Sequence, residues 1–294
     1  MKITNVNNLP APFVSAVERE YQYKDKQYSA TQLLKGSCEA VLERRHHDEI
    51  QNDVSDMIWL IFGTAVHSIL ENAEEEAEQL KENKIVIDVD GGYKLSGIFD
   101  LYDAKEKKVT DYKTATVWKV IFNDWEDYRK QLLIYAYMLK KIGFECNKGE
   151  IIATLKDHSK SKAKYDTSYP QFPVHKVSFE FSDNDFKEIE RFIKNKFNEI
   201  KLQEALSDDK LIPCTDVERW HKDDKYAVMK EGRKSALKVC SSQVEANEYI
   251  ASKNLDSKHY IEFREGQDTK CDDYCNVKQW CPFYKAKLNK KGSN

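Results

Sequence analysis

The sequence predicts an α/β protein with a mixed central sheet of about five strands flanked by helices, a small inserted α+β module and a C-terminal cysteine-cluster lobe. Residues 95–114 form two alternating apolar and polar runs around a charged turn, which is typical of a β-hairpin. Residues 174–181 alternate in the same way, and residues 183–206 carry apolar side chains at helical spacing. Strands therefore alternate with helices along one chain.

Composition excludes several classes of protein. The 294 residues carry 47 Lys and Arg against 50 Asp and Glu, so the net charge of −3 provides no global field that attracts nucleic acid. No apolar run approaches the roughly 18 residues that span a bilayer, and the first ten residues lack the apolar core of a signal peptide. We expect a cytoplasmic protein without a membrane partner. In that compartment, seven cysteines indicate thiols or metal ligands rather than a disulfide framework.

The elements follow in chain order. A helix is expected over 29–49 with Ser29 or Thr31 as its N-cap, and a longer one over 56–82. Short strands at 85–89 and 93–97 flank a turn at 90–92 and lead into the hairpin, and a helix over 125–142 and a strand at 150–155 come after it. The predicted domains are an N-terminal arm at 1–28, a core at 29–215, a small accessory module at 216–263 and a C-terminal cysteine cluster and tail at 264–294.

One stripe of the long helix carries Gly63, His67 and Glu71 at intervals of four residues. A glycine there lets another element approach, and the two side chains beyond it are able to share a ligand. A histidine that is merely a satisfied core residue is the alternative.

The hairpin brings chemistry of its own. Asp111 and Lys113 lie two residues apart and so share a strand face, and Asp100 is able to reach the same end. Two carboxylates supply the oxygen ligands that a divalent cation prefers, and a lysine beside them can orient a water. Ordinary solvated charges on a strand face are the alternative.

Other candidate side chains lie on the helix over 125–142 and in two basic segments. Gln131 and Tyr135 are one helical turn apart, where a polar rim on a core helix is the alternative. The basic segments are candidates for contacts to phosphate, although such runs are usually just solvated. Their members are Lys156, Lys160, Lys162 and Lys164 in the first and Lys230, Arg233 and Lys234 in the second.

Three cysteines, Cys271, Cys275 and Cys281, fall within eleven residues, a spacing that suits a metal or iron–sulfur centre better than core packing. A fourth ligand is needed. Cys38 is one candidate, although its helical stripe suits a core thiol equally well, and Cys214, which follows a proline in an expected loop, suits a ligand better.

These motifs together resemble the RecB-like branch of the PD-(D/E)XK nuclease superfamily, especially phage exonucleases and the iron–sulfur nucleases of CRISPR adaptation and AddB type. GTAVHSILE resembles the family's G-x-x-x-H-x-x-x-E helix, GIFD its second motif, DYK its D-x-K motif and QLLIY its Q-x-x-x-Y helix. The order of the motifs, followed by a cysteine triplet, makes the resemblance specific between residues 28 and 284. One departure is Phe99, which stands where the superfamily's name has proline.

The resemblance implies a metal-dependent DNA exonuclease in phage or recombination-linked processing, cytoplasmic in the host cell, that takes single- or double-stranded ends and works with a possible recombinase partner. Other possibilities are an endonuclease acting on DNA or RNA and a non-catalytic DNA-binding scaffold. It implies that His67, Asp100, Asp111 and the Tyr112 carbonyl hold Mg²⁺ or Mn²⁺. Lys113 would position or deprotonate the attacking water and stabilise the pentavalent phosphate. Gln131 and Tyr135 would orient the DNA strand or the lysine, and Glu71 would support the ligands or bind the cation through water. The cysteines would hold a [4Fe–4S] cluster, or zinc.

Overall fold

The computed structural model describes residues 1–18, 23–74 and 78–291. It divides into two compact units, Met1–Ala205 and Leu206–Asn294. In the first unit the helices are α1 Ala11–Val17, α2 Ala30–Leu33, α3 Ser37–Arg45, α4 Ile58–Glu71, α5 Val117–Ile121, α6 Glu126–Lys141, α7 Lys160–Tyr165 and α8 Asp183–Glu204. Its strands are β1 Lys2–Thr4, β2 Gln27–Ser29, β3 Gln51–Asp53, β4 Gln79–Val89, β5 Tyr93–Asp103, β6 Lys108–Ala115, β7 Lys148–Leu155 and β8 Val174–Glu180.

A mixed sheet forms the centre of the first unit. Five strands run in the order β2-β5-β6-β7-β8, and β4 pairs with β5 as a sixth. The β4–β5, β5–β6 and β7–β8 pairs are antiparallel, whereas β2–β5 and β6–β7 are parallel. The α/β prediction is therefore confirmed, with six strands instead of about five.

Helix α6 provides most of the packing against this sheet. Eight of its residues, between Gln131 and Leu139, are buried, and it packs against β6, β7 and α8. The long helix α8 begins at an N-cap, Ser182, whose hydroxyl accepts a hydrogen bond from Asp185 N while the Asp185 carboxylate accepts one from Ser182 N. This capping box fixes the start of α8 beside α6.

Two predicted boundaries in this unit are wrong. The helix expected over 29–49 is two helices, α2 and α3, and Ser29 is the N-cap of α2. The helix expected over 56–82 ends at Glu71, and β4 begins at Gln79. The strand extends because its residues pair with β5 as far as Gln79↔Asp103, a long-range contact that helical periodicity does not report.

Helix α4 is unusual because none of its residues is buried. By length and composition alone, one helical segment in the described part of the chain, Val54–Glu71, could cross a membrane. A single segment of this kind is weak evidence, and its His67 contacts the carboxylate of Asp100 on the central sheet. We therefore interpret α4 as a helix that packs beside the central sheet near Asp100.

The second unit contains the predicted basic hairpin. Strands β10 Lys225–Lys230 and β11 Lys238–Cys240 are antiparallel, and β12 His259–Arg264 completes a three-stranded sheet on which α9 Gln243–Ser252 packs. A two-stranded ladder joins β9 His221–Lys222 to β13 Gln267–Asp268. A π-helical turn, Lys270–Tyr274, and α10 Pro282–Lys291 follow.

Candidate active site

The site forms where β5 and β6 part. Their ladder runs from Asp103↔Lys108 to Leu101↔Thr110 and stops there, which leaves Asp100 and Asp111 as the next opposed pair. Beyond the ladder, Tyr112 N donates a hydrogen bond of 2.5 Å to Asp100 Oδ2, so a side chain replaces the strand partner. Asp100 and Asp111 are only 7% and 2% exposed. Two acidic side chains are thus buried at one point on the sheet.

A group of three potential metal ligands lies beside this point. One ligand atom each of His67, Glu82 and Asp100 lies within 4.8 Å of the other two. His67 Nδ1 on α4 is 3.3 Å from Asp100 Oδ1 and 3.7 Å from Glu82 Oε1. An imidazole nitrogen and two carboxylate oxygens form a donor set that suits a divalent cation, with Mn²⁺ at least as suitable as Mg²⁺.

Sequence reasoning missed Glu82, because the expected helix ran through it. The register of β4 and β5 brackets it between Lys81↔Leu101 and Asn83↔Phe99, which places Glu82 opposite Asp100. Its φ of 48° lies in the left-handed region that side chains rarely adopt, a form of local strain that is common at functional sites. The predicted turn at 90–92 could have revealed Glu82. Glu82 and Asp100 are each nine residues from Gly91, so a hairpin centred on that turn places them opposite each other.

The electrostatics of this group favour a bound cation. A hydrogen bond to Asp100 raises the pKa of His67. Burial raises the pKa of Glu82, and the charge of Asp100 adds to that shift. Carboxylates directly opposite each other in an antiparallel pair destabilise the sheet. A divalent cation between them removes that cost.

Asp111 and Lys113 share a strand face, as predicted, and form a close ion pair. Lys113 Nζ lies 2.5 Å from Asp111 Oδ2. Among the described residues, this buried oxygen has no partner with hydrogen-bond geometry. Burial raises the pKa of Asp111, while Lys113 opposes the shift. Lys113 is thus the charge partner of this carboxylate, and a buried acidic group that faces an ammonium group offers both a cation ligand and a contact for a phosphate.

Gln131 and Tyr135 reach the same carboxylate from α6. Gln131 Nε2 lies 3.4 Å from Asp111 Oδ1, a long hydrogen bond, and donates one of 2.9 Å to the Tyr135 hydroxyl. Burial raises the pKa of Tyr135, so its hydroxyl stays protonated at neutral pH. Gln131 and Tyr135, expected to orient the DNA strand or the lysine, are therefore connected to Asp111 in the structure.

Close packing of α6 on β5 depends on Gly97. A Cβ there would lie 2.8 Å from Tyr135 Cε1, a distance that real Cβ contacts essentially never show. Gly63 on α4 differs from the expectation of a required close approach, because a Cβ there would meet Thr114 Oγ1 at an ordinary 3.8 Å.

The remaining predicted side chains lie at exposed positions. Glu71 is the last residue of α4 and is exposed. Lys156 follows β7, and the other three lysines of the first basic segment lie on the short helix α7 instead of in a loop. Lys230, Arg233 and Lys234 are exposed at the end of β10 and in the turn after it.

The cysteines separate by unit. Cys214, Cys271, Cys275 and Cys281 belong to the second unit, whereas Cys38 is 1% exposed in α3 of the first. Burial raises the pKa of the Cys271 thiol to about 11, and the nearby thiols of Cys214 and Cys281 contribute. Cys214, which is distant in sequence, and Cys281 of the same triplet thus both approach the Cys271 thiol.

A salt-bridge network holds the loop of Cys214 in the second unit. Arg219 donates to the Cys214 carbonyl oxygen, and its Nε donates to Asp268 Oδ1 at 3.1 Å. Asp268, three residues before Cys271, also accepts from His221 Nδ1 at 2.9 Å and from Lys287 Nζ at 3.1 Å. The buried carboxylate of Asp268 therefore joins the Cys214 loop to the start of the cysteine triplet.

A family model describing the PD-(D/E)XK nuclease superfamily matches residues 17–282. The chain belongs to this superfamily. The match spans most of the chain and includes every residue of the site described above. No curated protein matches the chain significantly.

Solved structures give only distant similarities. The crystal structure of SSO0001 is 17% identical, with 63% of this chain and 80% of that one covered and a TM-score of 0.44. A phage-related exonuclease from Haemophilus somnus 129PT is 10% identical over 57% and 74% of the two chains, with a TM-score of 0.29. LHK-Exo in complex with dAMP is 14% identical over 60% and 92%, with a TM-score of 0.33.

PD-(D/E)XK nucleases use divalent cations such as Mg²⁺ or Mn²⁺, and the residues of this member fit one. Carboxylate oxygens of Glu82 and Asp100 lie within 4.8 Å of the His67 imidazole nitrogen, and the buried carboxylate of Asp111 is opposite Asp100 where the β5–β6 ladder ends. When bound, the cation supplies positive charge for the phosphoryl oxygens and acidifies the attacking water. Lys113 Nζ contacts one Asp111 carboxylate oxygen in this site, and Gln131 Nε2 reaches the other.

Proposed function

We propose that the protein is a metal-dependent DNA exonuclease of the RecB-like branch, phage-encoded and active in DNA recombination or processing. The observation that supports hydrolysis of phosphodiester bonds most directly is the meeting of His67, Glu82 and Asp100 within 4.8 Å, next to Asp111 and Lys113. A scaffold that had lost catalysis would have no reason to keep opposed carboxylates whose burial costs stability.

In the proposed reaction His67, Glu82, Asp100 and Asp111 hold the cation, with the Tyr112 carbonyl as a further ligand. Lys113 orients the attacking water and stabilises charge on the phosphate, and Gln131 and Tyr135 fix the position of Asp111. Glu71, exposed at the end of α4, acts through water or in support of Glu82, whose pKa its charge raises.

We propose that two exposed basic surfaces contact phosphates. One comprises Lys156, Lys160, Lys162 and Lys164 after β7, and the other Lys230, Arg233 and Lys234 after β10. These lysine and arginine side chains supply local positive charge for DNA phosphates, which the net charge of −3 does not provide.

We further propose that Cys214, Cys271, Cys275 and Cys281 hold a [4Fe–4S] cluster, with zinc as the alternative. The proximity of Cys214 and Cys281 to the Cys271 thiol supports this set, and the burial of Cys38 in α3 supports its role as a core thiol. Because thiolates bind the centre, its formation would contribute to the folding free energy of the second unit.

The exonuclease role is tested with end-labelled linear DNA and covalently closed circular DNA, each single- and double-stranded, incubated with Mn²⁺. An exonuclease degrades the linear forms progressively from an end and leaves the circles intact. Cleavage of circles would replace this role with that of an endonuclease, and cleavage of RNA in parallel reactions would widen the substrate. Absence of cleavage of every substrate by protein that binds DNA would favour the scaffold.

A further inference from the structure

Three exposed aromatic side chains lie near Lys113, and none of them takes part in the catalysis described above. One is on α4, and the other two form a stacked pair at α5. Trp59 on α4 is 56% exposed, and on α5 and just after it Trp118 and Phe122 are 56% and 71% exposed. The rings of Trp118 and Phe122 are stacked, with centroids 5.6 Å apart and planes 19° from parallel. We call these three residues the aromatic surface. Contiguous exposed rings such as the stacked Trp118 and Phe122 are typical of binding surfaces.

The stacked pair, Trp118 and Phe122, comes shortly after β6 in the sequence. Trp118 is five residues after Lys113 in the sequence. The ring of Tyr128 joins the two positions, because Lys113 Nζ lies 5.3 Å from its centroid and Lys119 Nζ 4.5 Å from the same centroid. The stacked pair on α5 is therefore adjacent to the end of β6 that carries the catalytic groups.

Trp59 reaches the same end of β6 by a different route. It is one helical turn before Gly63, which faces Thr114, and two turns before His67, on one stripe of α4. Its ring lies 3.8 Å from Lys156 Nζ, and Lys156 N donates to the carbonyl oxygen of Ala115 at the end of β6. Both aromatic groups are thus placed by residues at the end of this strand.

Each aromatic group is accompanied by a lysine, which identifies the ligand that suits it. Lys156 covers Trp59, and Lys119, which also pairs with exposed Asp124 at 3.2 Å, is next to Trp118 in sequence. A lysine beside each exposed ring favours a ligand that carries negative charge over an apolar helix of another protein. Single-stranded nucleic acid offers flat base faces to the rings and phosphates to the lysines, whereas a duplex keeps its bases stacked inside.

We propose that the aromatic surface stacks unpaired bases of the substrate strand next to the scissile phosphate, so that the site acts on single-stranded or frayed ends. This inference rests on the proposed nuclease function and narrows its substrate. A stacked base typically changes affinity about 5- to 150-fold when its aromatic partner is removed.

The test measures binding of a fluorescein-labelled oligonucleotide, single-stranded or as a blunt duplex, to the full-length chain by anisotropy, with Ca²⁺ in place of Mg²⁺ or Mn²⁺. Trp118→Leu keeps the apolar area but removes the flat ring, and Trp118→Phe keeps a ring. We expect Trp118→Leu to raise the Kd for the single strand at least fivefold, Trp118→Phe to stay within about threefold of wild type, and the duplex Kd to be unchanged in both.

Phe122→Leu and Trp59→Leu provide independent variants, and both should weaken only single-strand binding. If all three leucine variants bound the single strand as tightly as wild type does, the inference would be overturned. An equal loss of affinity for single strand and duplex would also overturn it. Loss of self-association, or of binding to vesicles containing anionic lipid, without a change in nucleic-acid affinity would also overturn it. If wild type neither binds nor cleaves any nucleic acid, the nuclease function itself fails, whereas duplex cleavage with unchanged single-strand binding in the variants overturns only this inference.

Discussion

Glu82 lies opposite Asp100 across the antiparallel pair of β4 and β5, and His67 Nδ1 is within 3.7 Å of both carboxylates. The buried carboxylate of Asp100 and the half-buried carboxylate of Glu82 repel each other in this relationship until a cation joins them. The structure therefore predicts that Glu82 has opposite effects on stability with and without metal.

Glu82→Gln should raise the melting temperature of the protein in EDTA. The reason is that the pKa of Glu82 is raised in the folded state, so its ionised form is disfavoured there at neutral pH. With saturating Mn²⁺, the same variant should show a smaller stabilisation by metal than wild type, because a ligand has been lost.

The measurement is thermal unfolding with EDTA and with a Mn²⁺ titration. Asp88→Asn is a matched control, because Asp88 is an exposed carboxylate on the same strand that faces Lys94 at 3.7 Å. A metal-induced shift for Glu82→Gln equal to that of wild type would remove Glu82 from the ligand set.

Gly97 and Gly63 make a paired prediction. A methyl group at Gly97 must displace the Tyr135 ring, with contacts at 2.8 and 3.1 Å, and so should disturb the Gln131–Asp111 contact. We expect Gly97→Ala to destabilise the protein by about 1–3 kcal/mol, as overpacking does, and to lower activity.

Gly63→Ala should be tolerated, because its nearest neighbour is Thr114 Oγ1 at 3.8 Å and alanine favours the helix. The free energy of unfolding in urea and the cleavage rate, measured for both variants, test whether only Gly97→Ala is harmful. Equal effects would mean that α6 does not depend on Gly97 for its position.

The Asp185 carboxylate at the start of α8 should make the stability of the protein depend on pH. Hydrogen bonds from Ser182, and then the guanidinium of Arg129, lower the pKa of Asp185 to about 2. A depressed carboxyl pKa contributes stability that is complete above the unfolded value of about 4 and is lost as pH falls toward 2. Asp185→Asn should therefore cost about 1 kcal/mol at pH 7, and its difference from wild type should shrink between pH 4 and 2.

Urea unfolding across that pH range measures the difference. Asp183→Asn, an exposed change in the same first turn, controls for the helix dipole and should have a smaller effect. A deficit for Asp185→Asn that stays constant down to pH 2 would mean that its charge has no role.

The cysteine cluster has a visible signature. Protein purified without oxygen should be brown, with absorbance near roughly 400 nm that is typical of iron–sulfur centres. Cys214→Ala and Cys275→Ala should bleach it, and Cys38→Ala should leave it coloured, because Cys38 is buried in α3. Colourless wild type with stoichiometric zinc would replace the cluster, and metal-free thiols in an active, folded protein would exclude both centres.

The sequence predicted those pairs of side chains that are only a few residues apart in the chain. Asp111 and Lys113 share a strand face because side chains alternate, and Gln131 and Tyr135 are one turn apart on α6. It missed Glu82, since residue type does not reveal a φ of 48° and the pairing of β4 with β5 is a long-range contact. Ser29 was correctly among the expected caps, but the break between α2 and α3 and the end of α4 at Glu71 were not anticipated.

The central claim is that Asp111 lies in a metal-dependent site for phosphodiester hydrolysis. Its most direct test is the cleavage rate of end-labelled DNA by wild type and by Asp111→Asn, each with Mn²⁺ and with EDTA, and with Asp88→Asn as the control. We expect EDTA to abolish cleavage reversibly, Asp88→Asn to cleave at the wild-type rate and Asp111→Asn to be slower by about 10²–10³-fold, as for loss of a key electrostatic group. Cleavage by wild type in EDTA, or by Asp111→Asn at a rate near that of wild type, would contradict the account.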